Sequence, residues 1–199
     1  NRSIHAPVKR FISPNFLPTA DNKRANLTKS FAYNLLRLPE YLRSMYYINQ
    51  RIRETGAEVV INFYELLTGL TYALFRPSVP YICVGHQYLF LHRDFEFPDK
   101  NSCQLWMLRF FTRMTALRSS KKLALSFLEM EQDDMNQIVT VPPLIRQEVT
   151  AIRPEKGDNI HGYMVNSGFA DSVENFHAKH AEVPLTFFWD RSDAEEVTR

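Results

Sequence analysis

Three observations predict an α/β fold with a mainly parallel, Rossmann-like sheet flanked by helices. Short apolar or β-branched runs recur at Val59-Val60-Ile61, Tyr81-Ile82-Cys83-Val84, Leu123-Ala124-Leu125-Ser126-Phe127 and Ile138-Val139-Thr140-Val141, as strands buried within a sheet require. Segments of helical period alternate with such runs, the pattern of a parallel sheet with helices on both faces. The 199 residues are 45% hydrophobic and 23% charged, which is the composition of a folded core and excludes a disordered chain.

The elements follow in chain order. Pro7, Pro14 and Pro18 mark the opening stretch as an extended connector. Leu27, Phe31, Leu35 and Leu38 then recur at helical spacing, and Pro39 suits the first position of a second helix. That second helix carries Leu38, Leu42, Met45, Ile48 and Ile52 on one face, and Gly56 stops it. After the first strand, Leu66 to Phe75 reads as a short helix ending before Pro77. Asn101 with Gln104 resembles a capping box and opens a helix through about Arg118, with Met107, Phe110, Phe111, Met114 and Leu117 on one face. Pro142-Pro143 ends the fourth strand. A polar stretch from Arg146 to Asp158 reads as a connector. Beyond it come a strand from Ile160, the loop Asn166-Ser167-Gly168, a helix from Phe169 and a strand ending at Trp189. The expected organisation is a partial domain over 1–145, a connector over 146–158 and the first β-α-β unit of a second domain over 159–199.

Charge and cysteine content narrow the function. The formal charge is +2, so bulk charge does not point to nucleic acid. No run approaches the roughly 18 apolar residues of a membrane-spanning helix. Cys83 and Cys103 lack metal spacing and read either as buried free thiols of a reducing cytoplasm or as a disulfide. Residues 1–56 hold ten Lys and Arg against three Asp and Glu. Residues 101–122 hold Arg109, Arg113, Arg118, Lys121 and Lys122 with no acid, beside Trp106. Such a cationic helix can lie on an anionic bilayer, or it can cover a sheet with Trp106 stacked by an arginine.

In open parallel sheets ligands bind beyond the carboxyl ends of the strands. Those ends carry Asn62-Phe63-Tyr64-Glu65, Gly85-His86-Gln87, the acidic stretch Glu129 to Asp134, and Asn166-Ser167-Gly168. Glu65 either accepts a hydroxyl proton or hydrogen bond from a substrate, or serves as an acid in the first turn of a helix. His86 either acts as base or donor, or is a structural loop histidine. No metal spacing links it to His92. The turn Asn166-Ser167-Gly168 can present helix N-terminal amides to a diphosphate, or Ser167 can be an ordinary cap. Glu129 to Asp134 read as a solvated loop or the start of a helix.

The segment from Val59 to Glu65, followed by Val79 to Gln87, resembles the two-domain glycosyltransferases of the GT-B type. The branch it resembles most is similar to the lipid-linked N-acetylglucosaminyltransferases of bacteria and archaea. Val141 to Arg146 is similar to that family's crossing between domains, and Tyr163 to Gly168 to the first strand and loop of its second domain. Asn62 and Leu66 depart from the Asp and Pro usual in the first motif. The resemblance implies the middle of a longer enzyme, catalytically silent as cut, that moves a sugar from a nucleotide-diphosphate donor to an acceptor hydroxyl. Asn62, Tyr64, Glu65, His86 and Gln87 would line the acceptor side, with Glu65 and His86 the catalytic candidates. Asn166, Ser167 and Gly168 would approach the donor phosphates. No metal and no cofactor are expected, and the place is the cytoplasm, with peripheral contact to an anionic membrane. The rival expectations are a sugar-nucleotide epimerase of the same fold and a non-catalytic membrane-surface or partner-binding module.

Overall fold

The computed structural model describes residues 8–20, 26–97, 103–164 and 167–189. They fall into two compact units: the described residues of Asn1–Pro14 with Asn34–Arg146, and those of Asn15–Tyr33 with Gln147–Arg199.

The first unit is built on four strands, β1 (Val60–Asn62), β2 (Tyr81–Val84), β3 (Lys121–Leu125) and β4 (Ile138–Val141), paired in the order β1-β2-β3-β4. All three pairings are parallel. Each short run therefore became a strand of a parallel sheet, as its apolar character requires. β3 begins two residues earlier than the apolar run suggests. Lys122 enters it by burying its stem and sending Nζ out to the carbonyl of Asn136 at 2.8 Å. That burial lowers the Lys122 pKa. Phe127, expected inside the strand, is 86% exposed beyond it.

Two helices precede the sheet: α1 (Leu27–Leu36), capped where Asn26 Oδ1 accepts from Lys29 N at 3.0 Å, and α2 (Leu38–Glu54). Pro39 sits in the first turn of α2, and Gly56, at φ 59°, follows its C-cap Thr55. The buried face of α2 is Tyr41, Ser44, Met45, Asn49 and Ile52, whereas Leu42 of the predicted stripe is 54% exposed. Apolar side chains surround much of this helix, so periodicity alone leaves the packing face open.

α3 (Leu66–Phe75) and α4 (Cys103–Thr115) connect β1 to β2 and β2 to β3. Sequential strand order with right-handed crossovers puts both on one face of the sheet, not on opposite faces as the alternation predicted. Their contacts bear this out: Asn62 and Cys83 bond the carbonyl of Thr115, Tyr81 donates to the carbonyl of Leu117, and Tyr72 packs on Tyr81. α2 joins the same layer, with Tyr41 and Met45 against Leu67 and Ile52 in the main core. On the other face Ile61 is 57% exposed. Gly69 lets α3 and α4 touch: a Cβ there would lie 2.2 Å from the carbonyl oxygen of Met114.

The buried face of α4 is Thr112, Thr115 and neighbouring Ala116, while Phe110 of the predicted stripe turns outward. Trp106, 64% exposed, stacks on Phe110 at 5.4 Å and 7° rather than on an arginine. The expected cap at Asn101 lies outside the described residues. Both cysteines are free, Cys83 buried and Cys103 exposed. Burial raises the Cys83 pKa, so its thiol stays protonated.

In the second unit α5 (Gln147–Thr150) forms a short helical turn within the polar stretch. β5 (Ile160–Met164) pairs in parallel with β6 (Leu185–Trp189), joined by a short 3-10 turn over Ser167–Phe169 and α6 (Ala170–Lys179). Gly162 faces Phe187 across this pair, and a Cβ there would enter the phenyl ring at 2.1 Å.

Candidate functional site

The carboxyl end of the four-stranded sheet carries the candidate site. At β1, the turn Asn62 to Glu65 is braced from within. Asn62, 2% exposed, accepts from Glu65 N at 2.8 Å and donates to the carbonyls of Glu65 and Thr115 at 3.1 and 2.9 Å. Tyr64 takes the left-handed conformation at φ 61°, and its hydroxyl bonds Thr112 at 2.9 Å. Burial raises its pKa against the lowering effect of that hydrogen bond. Glu65 is the N-cap of α3: Oε1 accepts from Leu67 N at 3.1 Å and from the Ser13 hydroxyl at 2.6 Å. These three side chains therefore fix the β1–α3 turn. Asn is suited to this turn because its amide both donates and accepts, where a carboxylate only accepts.

At β2 the chain leaves the sheet through Gly85, whose backbone still bonds Leu123 and Leu125 of β3. A 3-10 helix, His86–Leu91, follows at once. Its Tyr88 is fully buried, with its hydroxyl 3.2 Å from Thr115 Oγ1 and its ring against Tyr64. That anchor leaves His86 exposed and Gln87 half-buried at the strand end.

No helix spans the β3 to β4 crossover, residues 126–137, which is instead folded by an antiparallel bridge between Asp133 and Ile138. Buried Asp133 accepts from Arg93 N at 2.9 Å, Asn136 N at 3.1 Å and Asn136 Nδ2 at 2.7 Å. Burial alone would raise its pKa, but these hydrogen bonds overcome that and hold its carboxyl below the usual value. His92, 2% exposed, accepts from Asp94 N at Nδ1 and donates from Nε2 to the carbonyl of Glu131 at 2.9 Å. Arg93 adds an ion pair to Glu131 at 3.0 Å. These contacts staple the loop after β2 to the loop after β3.

Between the stapled loops lies a crevice of about 780 Å³, at the ends of β2, β3 and β4. His86, Ser126, Glu129, Asp94 and Glu96 bring polar groups to it, and Leu125, Phe127 and Phe95 are among its apolar lining. The sheet thus joins His86 with Glu129, part of the acidic stretch that the sequence placed at a strand end and read as a solvated loop or helix start. Asn62, Tyr64 and Glu65 are not among the residues lining it, and neither is Gln87. The staple of His92 and Asp133 was missed altogether. A histidine and an aspartate 41 positions apart carry no spacing signal.

In the second unit, Asn166 lies outside the described residues, and Ser167 and Gly168 belong to the short turn ahead of α6. The N-cap of α6 is Phe169, which makes no side-chain cap bond. Among the described residues, no group of three or more His, Cys, Asp and Glu could hold a metal ion, and no helix is long and apolar enough to cross a membrane.

Comparison with curated proteins and with solved structures finds no match. The family comparison does, over residues 15–196. A parallel four-stranded α/β unit with a crevice at its carboxyl edge agrees with that match, and the chain belongs to Glycosyl transferase family 1, a GT-B-like family.

Proposed function

We propose that this chain transfers a sugar from a nucleoside-diphosphate donor to an acceptor hydroxyl held in the crevice beside His86. Family membership supports sugar transfer and favours it over epimerisation. The observation that carries the acceptor site is the crevice itself, which gathers His86, Ser126 and Glu129 at the ends of parallel strands. In the reaction the acceptor oxygen attacks the anomeric carbon and the bond from that carbon to the diphosphate oxygen breaks. The leaving diphosphate keeps the bonding electron pair, and the acceptor proton passes to a base. His86 is assigned that base, since an imidazole nitrogen can take a hydroxyl proton and this one is exposed at the crevice. Glu129 orients the hydroxyl. Gln87 follows His86 on the acceptor side, and Asn62, Tyr64 and Glu65 keep the adjoining turn in shape. The donor phosphates are assigned to Asn166, Ser167 and Gly168, where the amides and dipole of the following α6 would offset the charge of the departing diphosphate. Incubation of the full chain with uridine- and guanosine-diphosphate sugars and a panel of alcohols tests this reading by product mass. A glycoside is expected, and its absence with every donor and acceptor would overturn the proposal.

Peripheral contact with an anionic membrane is favoured by one further observation. Exposed Trp106 and Phe110 stack beside the exposed Arg113, and exposed Leu38, Leu42 and Tyr46 of α2 flank Arg43. Aromatic and aliphatic groups among cations suit an anionic interface. Sedimentation with phosphatidylglycerol vesicles, weakening as salt rises, is the expected result; equal sedimentation with phosphatidylcholine vesicles would contradict a charge-driven contact.

A further inference from the structure

Most of the groups that line the crevice are apolar, including Leu89, Leu125, Phe127, Leu128 and Met130. Two of these stand in water, Phe127 at 86% and Leu128 at 76% exposure, on the loop just beyond β3. Single exposed apolar residues are ordinary, but adjacent ones at the mouth of an apolar concavity mark a surface that a ligand covers. The opposite part of the lining is fixed in advance. Phe95 is packed by Phe90 at 5.6 Å and Phe97 at 4.9 Å, and the loop that carries it is stapled through His92 and Arg93. A wall set before binding costs little to order when a ligand arrives.

The crevice carries carboxylates. Asp94, Glu96 and Glu129 line it, and among the described residues no lysine or arginine does. Asp94 is engaged by Arg93 at 3.2 Å, while Glu96 and Glu129 make no hydrogen bond among the described residues. An anionic group entering here would meet the carboxylates of Glu96 and Glu129 with no lysine or arginine among the described lining residues to pair with. A free sugar has no apolar body to cover the exposed Phe127 and Leu128, and so forgoes the burial of apolar surface that this lining offers. We infer that the acceptor is an uncharged hydroxyl on an apolar body, an apolar alcohol rather than a free sugar or a phosphate-bearing molecule. The word acceptor rests on the transfer reaction proposed above. The binding preference does not.

Naphthol, naphthyl phosphate and glucose separate the possibilities, because the first two share an apolar body and differ in charge. Fluorescence titration of the full chain is expected to show saturable naphthol binding, naphthyl phosphate weaker by about tenfold or more, and glucose weaker still. Phe127→Ser and Leu128→Ser should each weaken naphthol by about fivefold to tenfold with unchanged melting temperature. Glu129→Gln should narrow the gap between naphthol and its phosphate. Equal or tighter binding of glucose or naphthyl phosphate would overturn the inference, as would unchanged naphthol affinity in both serine variants. Transfer to free sugars but not to naphthol would leave the transfer reaction standing and sink this inference. Naphthol binding without sugar transfer to any acceptor would do the reverse.

Discussion

Gly69→Ala tests how the helical layer is held against the sheet. An alanine Cβ would lie 2.2 Å from the Met114 carbonyl oxygen and 2.8 Å from the Thr115 carbonyl, against the 3.4 Å at which ordinary contact begins. The larger shortfall is 1.2 Å, and the atoms in the way are backbone, which no rotamer change can clear. α3 and α4 would have to separate. Alanine gains about 1 kcal/mol of helix propensity, and relieving such overpacking costs roughly 1–3 kcal/mol. The same shift pulls the Thr115 carbonyl away from the buried amide of Asn62, now 2.9 Å distant. A stranded buried donor adds about 1–3 kcal/mol. The expected net is a loss of about 3 kcal/mol, or a fall in melting temperature of roughly 6–12 °C for a chain of this size. Urea unfolding should show a lower midpoint with an unchanged slope, since the area exposed on unfolding is the same. A Gly69→Ala protein as stable as wild type would refute the close approach of α3 and α4.

Two further perturbations test the turns around the site. Glu65→Ala should lower stability by about 1 kcal/mol through loss of the α3 N-cap; an unchanged urea midpoint would show that Glu65 does not cap. Asp133 has its carboxyl below the ordinary value of 3.8, so its charged form stabilises the folded state above that pH and the contribution is lost as pH falls through the folded value. The melting-temperature gap between wild type and Asp133→Asn should therefore stay constant from pH 7 to about pH 4 and close below it. A gap independent of pH would contradict that linkage.

Much of the framework was legible because apolar run length and turn residues act locally. Val59-Val60-Ile61 and Tyr81 to Val84 had few alternatives to strands, though Val59 and Ile61 are exposed rather than buried, and Pro39, Gly56 and Pro77 bounded the helices between and before them. Orientation was harder to read. α2 has Leu38 and Leu42 on one side and Tyr41 and Met45 on the other, and only contact with Leu67 of α3 selects the second side. α4 buries threonines because the hydroxyls of Thr112 and Thr115 hydrogen-bond those of Tyr64 and Tyr88, a pairing that hydrophobic periodicity cannot register. His86 stood out as a candidate in the sequence because it follows a strand and a glycine, and the structure puts it among the residues that line the crevice. Asp94 and Glu96 were not singled out, and Glu129 only as part of an acidic strand-end stretch, since the loops that bring them to the crevice are joined by His92 and Asp133 across some forty residues.

The most direct test of the account is release of nucleoside diphosphate from a nucleotide-sugar donor, measured with and without an apolar alcohol, in wild type and His86→Ala. Wild type should release diphosphate in an acceptor-dependent manner. His86→Ala should be slower by about a hundredfold or more, as loss of a general base requires, with unchanged donor affinity and thermal stability. Wild-type turnover in His86→Ala would contradict the assignment of the crevice as the place where the acceptor reacts.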